Sequence, residues 1–156
     1  MQSPPSSPRY LYPALSAGLV LAALLGVFTT AYMGIATFAY LLMVLGIIWR
    51  RRAREIHRQL MFAGMGIDLT LVLLLELQRS ATATAFGFKL GPWQMAHVLA
   101  STLAVALYLP MIYLGMKLWE NETAGRRNLH RRLGYLTFFF RSLGFVLMFS
   151  LLWKAS

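Results

Sequence analysis

The sequence predicts an all-α integral membrane helical bundle of about five transmembrane helices, with the N-terminus inside. Three observations lead there. Hydrophobic residues make up 58% of the 156, and charged residues only 13%, against roughly 25% charged in a soluble domain. The apolar residues fall into five segments near the roughly 20 residues that a bilayer span requires. The basic residues crowd onto alternate connectors, as the positive-inside rule demands.

Residues 1–9 are rich in Pro and Ser and are expected to be a disordered tail. Residues 10–49 carry no charge, and a stretch of that length exceeds one span, which needs about 20 residues. The break is expected at Thr29-Thr30-Ala31-Tyr32-Met33-Gly34, giving spans at 11–29 and 34–49. One tilted span with a re-entrant piece is the alternative. The first apolar run is longer than the 7–15 residues of a signal-peptide core, so it is expected to stay in the membrane. Within it Ala14, Gly18, Ala22 and Gly26 recur at four-residue spacing, the pattern that lets membrane helices approach closely. That stripe serves packing within the chain or a partner subunit.

Arg50-Arg51-Arg52-Ala53-Arg54 closes the second span. A basic cluster there reads as a stop on the inner side and as a contact for anionic lipid headgroups. The third span is expected at 59–77. An external loop follows at 78–93, with Phe86, Phe88 and Trp93 suited to the interface. The fourth span, 94–118, carries a second small-residue stripe, Ala96, Ala100 and Ala104, and an internal Pro110 expected to kink it. The fifth is expected at 133–153. Residues 10–156 therefore read as a single transmembrane bundle.

The inner side then holds Arg9, the arginines of 50–58, Lys117, Arg126, Arg127, Arg131 and Arg132; the outer side holds only Arg79, Lys89 and Lys154. Placed beside spans in this way, the net charge of +10 points to topology and to bound anionic lipids, not to nucleic acid. With no cysteine, disulfides and thiolate metal sites are excluded.

Two stretches echo each other. Glu55-Ile56-His57-Arg58-Gln59-Leu60-Met61 runs into Asp68, and Asn128-Leu129-His130-Arg131-Arg132-Leu133 runs into Arg141. In each, a charged residue follows the histidine by eleven positions. On a helix that is about 1100° of rotation and roughly 16 Å of rise, so the charge shares the histidine's face and sits near mid-bilayer. Intramembrane charge marks function by default. The reading favoured for Asp68 and Arg141 is an ion pair that docks the third span on the fifth, with each single neutral substitution more harmful than the double. A proton or ligand site is the other reading.

Glu76 and His97 share a depth near the outer surface. The carboxylate could orient the imidazole for a metal or a proton, which amounts to at most half a metal site. His57 and His130 open two spans at the inner surface, the placement that bis-His haem ligation or a copper site would use, with His97 as the third candidate. Nothing resembles a phosphate loop, a nucleophile–base triad or a carboxylate pair, so no catalytic residue is assigned and no enzyme is expected. The nine methionines include no dense Met-x-x-Met run and read as packing.

These residues resemble the YozB-like bacterial membrane proteins. The similarity covers about two thirds of the chain. It is carried by His57-Arg58-Gln59-Leu60-Met61 opening one span, His97 near the start of the next, Leu109-Pro110 within it, and His130-Arg131-Arg132-Leu133 opening the last. That family includes CtaM-type proteins of haem–copper oxidase maturation. The resemblance implies a multi-pass protein of the bacterial inner membrane that serves a respiratory complex in an accessory or assembly role, with His57, His97 and His130 as haem- or copper-contacting positions. The expected function is thus a non-catalytic accessory or assembly subunit docked on a larger membrane complex, respiratory or photosynthetic. The alternatives are a small haem- or metal-binding membrane protein using His57 and His130, and a proton-coupled carrier built on Asp68.

Overall fold

The computed structural model describes residues 10–79 and 91–152. It contains five α-helices, α1 (Leu11–Phe28), α2 (Ala31–Trp49), α3 (Arg54–Arg79), α4 (Pro92–Glu120) and α5 (Ala124–Met148), the last running into a 3-10 turn at Phe149–Leu152. All five are long and apolar enough to cross a membrane, the make-up of a multi-pass membrane protein. The expected tail at 1–9, the loop residues Phe86 and Phe88, and Lys154 lie outside the described residues.

The helix ends follow from local chemistry. α1 stops where Thr29 turns its hydroxyl back to the Leu25 carbonyl. Thr30 adopts an extended conformation, and its hydroxyl accepts from the Met33 N–H at 3.2 Å, a side-chain N-cap. The cap starts α2 three residues earlier than a break at Gly34 implies. Gly34 is therefore a helical residue, and close approach rather than chain reversal explains it.

α2 closes in a tight turn, with the N–H groups of Arg52 and Ala53 donating to the Trp49 carbonyl at 3.0 Å. α3 then begins at Arg54, ahead of the expected 59. Glu55 in its first turn accepts from Arg58 at 2.6 Å and from Gln59 at 3.0 Å, and it also complements the positive end of the helix. Pro92 opens α4, with Gln94 Oε1 accepting from the Gly91 N–H at 3.0 Å; proline at the first helical position loses no bond. α4 continues through Pro110 to Glu120. Thr123 caps α5, accepting from the Arg126 N–H, so this helix starts nine residues before its expected span.

The chain divides into two compact units, residues 1–68 and 69–156, with the division inside α3. In the first, α1 packs antiparallel on α2 through the small-residue stripe. A Cβ at Gly34 would lie 2.7 Å from the Ala22 carbonyl oxygen and 2.9 Å from Gly26 Cα, and one at Gly18 would meet Leu41 at 3.4 Å. The start of α3 packs along the other side of α2. There a Cβ at Gly64 would lie 2.8 Å from Met43 Cγ and 2.9 Å from the Ala39 carbonyl oxygen. Leu11, Leu42 and Leu60 form the core between the three helices, sealed by Phe38, Trp49 and Ile67. Gly66 faces open space.

In the second unit α4 and α5 form an antiparallel hairpin. A Cβ at Gly134 would touch Met111 at 3.4 Å, and one at Gly144 would lie 2.7 Å from Ser101 Oγ. Ala100 and Ala104 of the second stripe are buried, and Ala96 is half-buried. Two buried threonine hydroxyls, Thr37 in the first unit and Thr137 in the second, donate to the carbonyls of Met33 and Leu133 one turn back. Neither hydroxyl therefore goes unsatisfied in apolar surroundings.

Candidate functional site

His57 sits in the first turns of α3, and its Nδ1 lies 2.7 Å from the carbonyl oxygen of Gly46 on α2. A carbonyl only accepts, so Nδ1 carries the proton, and in the neutral ring Nε2 keeps the lone pair. Gly46 permits the contact because the space of its missing Cβ is filled by Met61, one turn beyond His57, with Sδ at 3.0 Å from the Cβ position.

His97, in the second turn of α4, makes the equivalent bond across the second unit. Its Nδ1 lies 2.7 Å from the Gly144 carbonyl oxygen on α5. The same reasoning gives it an Nε2 lone pair. Ser101, one turn further, fills the space over Gly144. The third histidine, His130, packs its Cε1 3.6 Å from the Cβ position of Gly115 on α4. Each of the three thus rests on a glycine of the neighbouring helix in its own hairpin.

The echo in the sequence corresponds to a structural one. His130 follows His57 by 73 residues, and Arg141 follows Asp68 by the same interval. Each histidine lies at the start of a hairpin's second helix, and each charged residue lies on that helix's buried face. Asp68 is only 5% exposed and Arg141 4%. Both engage in a hydrogen-bonding or electrostatic interaction. One turn past each histidine the packing pair is exchanged: Met61 of α3 covers Gly46 of α2, whereas Met111 of α4 covers Gly134 of α5. The two hairpins are variations on one packing scheme.

Glu76, expected beside His97 at the outer end, is exposed. Among the described residues no group of three or more His, Cys, Asp or Glu is placed to hold a metal ion. The two described cavities contain neither histidine nor acid. One, of about 480 Å³, runs between α1 and α2 over Ala22, Gly26, Gly34 and Phe38, with Ile67 at its edge. The other, of about 360 Å³, lies in the second unit where the start of α4 meets the end of α5, between Trp93, Val146 and Phe149. In donor terms, an imidazole can supply one axial nitrogen to a haem or one ligand to a copper ion, and the rings of His57 and His97 are held in a fixed orientation by their bonds to carbonyls. A closed metal site would need donors from elsewhere.

In the turn between α2 and α3, Arg51 and Arg52 are exposed and Arg50 half-buried, and Arg54 at the start of α3 is exposed. Of the first small-residue stripe, Ala22 is buried, and Ala14, Gly18 and Gly26 are half-buried. Sequence reasoning found the three histidines but not the acceptors, Gly46 and Gly144. A carbonyl leaves no trace in residue type, and the spacings of 11 and 47 residues have meaning only once the helices are paired. No family model, curated protein or solved structure matches the chain.

Proposed function

We propose that this protein is a non-catalytic accessory or assembly subunit, held in the bacterial inner membrane with its N-terminus inside and docked on a larger bioenergetic membrane complex. The reading rests on the outer face of α1. Only 11% of that helix is buried, against 44% of α2. Its small-residue edge is used up against α2, which leaves Leu19, Val20, Leu24, Val27 and Phe28 exposed along its length. A face of large apolar side chains on an end helix suits lateral contact with another membrane protein. The described polar groups point the other way. His57, His97, Thr37 and Thr137 are each tied to a backbone carbonyl inside their own unit, an arrangement that fixes structure rather than lining a substrate path. The resemblance to the YozB-like proteins supports a haem–copper oxidase as the complex served, and a photosynthetic complex would suit the same face.

The test is gentle solubilisation of native membranes, capture of this chain and sizing of what accompanies it. A stoichiometric large complex is the expected result. A chain that runs alone at its own mass under every mild detergent would overturn the reading.

A second reading, a small haem- or metal-binding protein using His57 and His130, draws on His57, whose Nδ1–H···O=C bond presents Nε2 as the ligand atom. A reduced-minus-oxidised absorption spectrum of protein from haem-replete cells separates the two. A haem band lost in His57→Ala favours the second reading, and a featureless spectrum removes its haem form.

A further inference from the structure

Because Thr123 caps α5, the helix begins at Ala124, well before the apolar segment that starts at 133. At 1.5 Å per residue, Arg131 and Arg132 lie within about 3 Å of the hydrocarbon boundary, and Arg126 and Arg127 about 9–11 Å beyond it. The headgroup layer on each side of a bilayer is roughly 5–8 Å deep, so the four side chains straddle it.

Their arrangement around the helix is informative. Taking Arg126 as the origin, Arg127, Arg131 and Arg132 fall at about 100°, 140° and 240°. The direction of α4 is marked by His130, against Gly115, and by Gly134, against Met111; these fall at about 40° and 80°. The arginines therefore flank the α4 contact on both sides and reach round to the far side. A protein partner approaching from one side would meet only some of them, whereas a lipid leaflet surrounds the helix.

The charges are only partly neutralised at home, by Glu122 and by Glu120, which is itself paired with Lys117. Arg126 donates to the Asn121 carbonyl at 3.3 Å, and Arg127 meets Glu122 at 3.1 Å while 65% exposed. Arg131 and Arg132 are exposed and have neither a side-chain hydrogen bond nor an ion pair among the described residues. The first turn of α5 contains no acid, so the positive end of the helix adds to the field of the arginines. Leu129 and Tyr135, exposed between them, supply the apolar contact of an interfacial helix.

We propose that the N-terminal turns of α5 bind anionic phospholipid, with Arg126, Arg127, Arg131 and Arg132 holding headgroup phosphates through charge-assisted hydrogen bonds. The site is separate from the docking face of α1 and stands whether or not that face has a partner.

The test uses the full chain in nanodiscs of phosphatidylcholine, alone or mixed in equal parts with phosphatidylglycerol, and follows amide hydrogen exchange of residues 124–132. Each arginine near an anionic surface contributes roughly a fivefold factor, so exchange is expected to slow by at least about tenfold in the anionic discs. The R126Q/R127Q/R131Q/R132Q variant should exchange equally in both discs. R131Q/R132Q, which keeps the first turn, should lose part of the protection if the full variant does not fold. An R50Q/R51Q/R52Q variant should keep it. Equal exchange of the wild type in both discs would overturn the proposal, as would equal loss in the R50Q/R51Q/R52Q variant. Protection by inorganic phosphate added to phosphatidylcholine discs would reassign the site to a soluble anion. Unprotected wild type whose arginines are needed for co-purification of a protein complex would reassign it to that partner.

Discussion

Gly34→Ala is the sharpest probe of how α1 is held. The new methyl would lie 2.7 Å from the Ala22 carbonyl oxygen, 2.9 Å from Gly26 Cα and 3.1 Å from Gly26 N. All three are backbone atoms, so no side-chain rotation relieves the clash, and α1 as a whole must move away by several tenths of an ångström. Overpacking of this kind costs about 1–3 kcal/mol. Replacing a helical glycine by alanine returns up to about 0.8–1 kcal/mol of helix propensity, the value for a helix interior, and Gly34 lies in the first turn of α2. The net expectation is destabilisation of about 0–2 kcal/mol, together with looser α1–α2 contact. Gly66→Ala is the matched control, because a Cβ there meets nothing within 4 Å. It should keep the propensity gain, so the two variants should differ by the full overpacking cost of about 1–3 kcal/mol. Equilibrium unfolding in mixed micelles of mild and denaturing detergent measures both, and a cysteine pair across Gly18 and Leu41 reports the α1–α2 spacing by crosslinking rate. Equal stability of Gly34→Ala and Gly66→Ala, with unchanged crosslinking, would refute the close crossing.

The second hairpin offers a coupled test. Gly144→Ala places a methyl 2.7 Å from Ser101 Oγ but 3.3 Å from the nearest backbone atom, so most of the clash lies in one hydroxyl. The single variant should be destabilised by about 1–3 kcal/mol, and adding Ser101→Ala should recover most of that loss in the same unfolding assay. For the histidine bonds, His57→Leu and His97→Leu should each cost about 0.5–1.5 kcal/mol, the net value of one hydrogen bond. Nitrogen chemical shifts of the wild-type rings should show the proton on Nδ1 in both.

The five helices were legible because the hydrophobic runs are long and the charges between them few. Their ends were legible only where a residue type names its role. Thr30 and Thr123 cap helices through their hydroxyls, and each helix starts earlier than hydropathy alone suggests, since hydropathy registers the membrane but not the hydrogen bond that begins the turn. Gly34 shows the reverse difficulty: glycine signals a break in a chain and close packing in a membrane helix, and only the position of α1 decides between them. Of the stripe Ala14, Gly18, Ala22 and Gly26, the last three lie against residues of α2. Residue type singled out the histidines as ligand candidates, and the structure places His57 and His97 in bonds to backbone carbonyls. Their acceptors are backbone atoms of a neighbouring helix, set by inter-helix register that residue types do not encode.

The two glycine–histidine bonds also differ in when they can form during synthesis. The bond from His57 to Gly46 spans eleven residues and needs only α2 and the first turns of α3. It can close as soon as these leave the ribosome, with little chain entropy lost in the loop. The bond from His97 to Gly144 spans 47 residues and must wait until α5 has been made as far as Gly144. The first staple can therefore close before the residues of the second have both been made. A nascent chain halted before residue 144 would hold the first staple and lack the second.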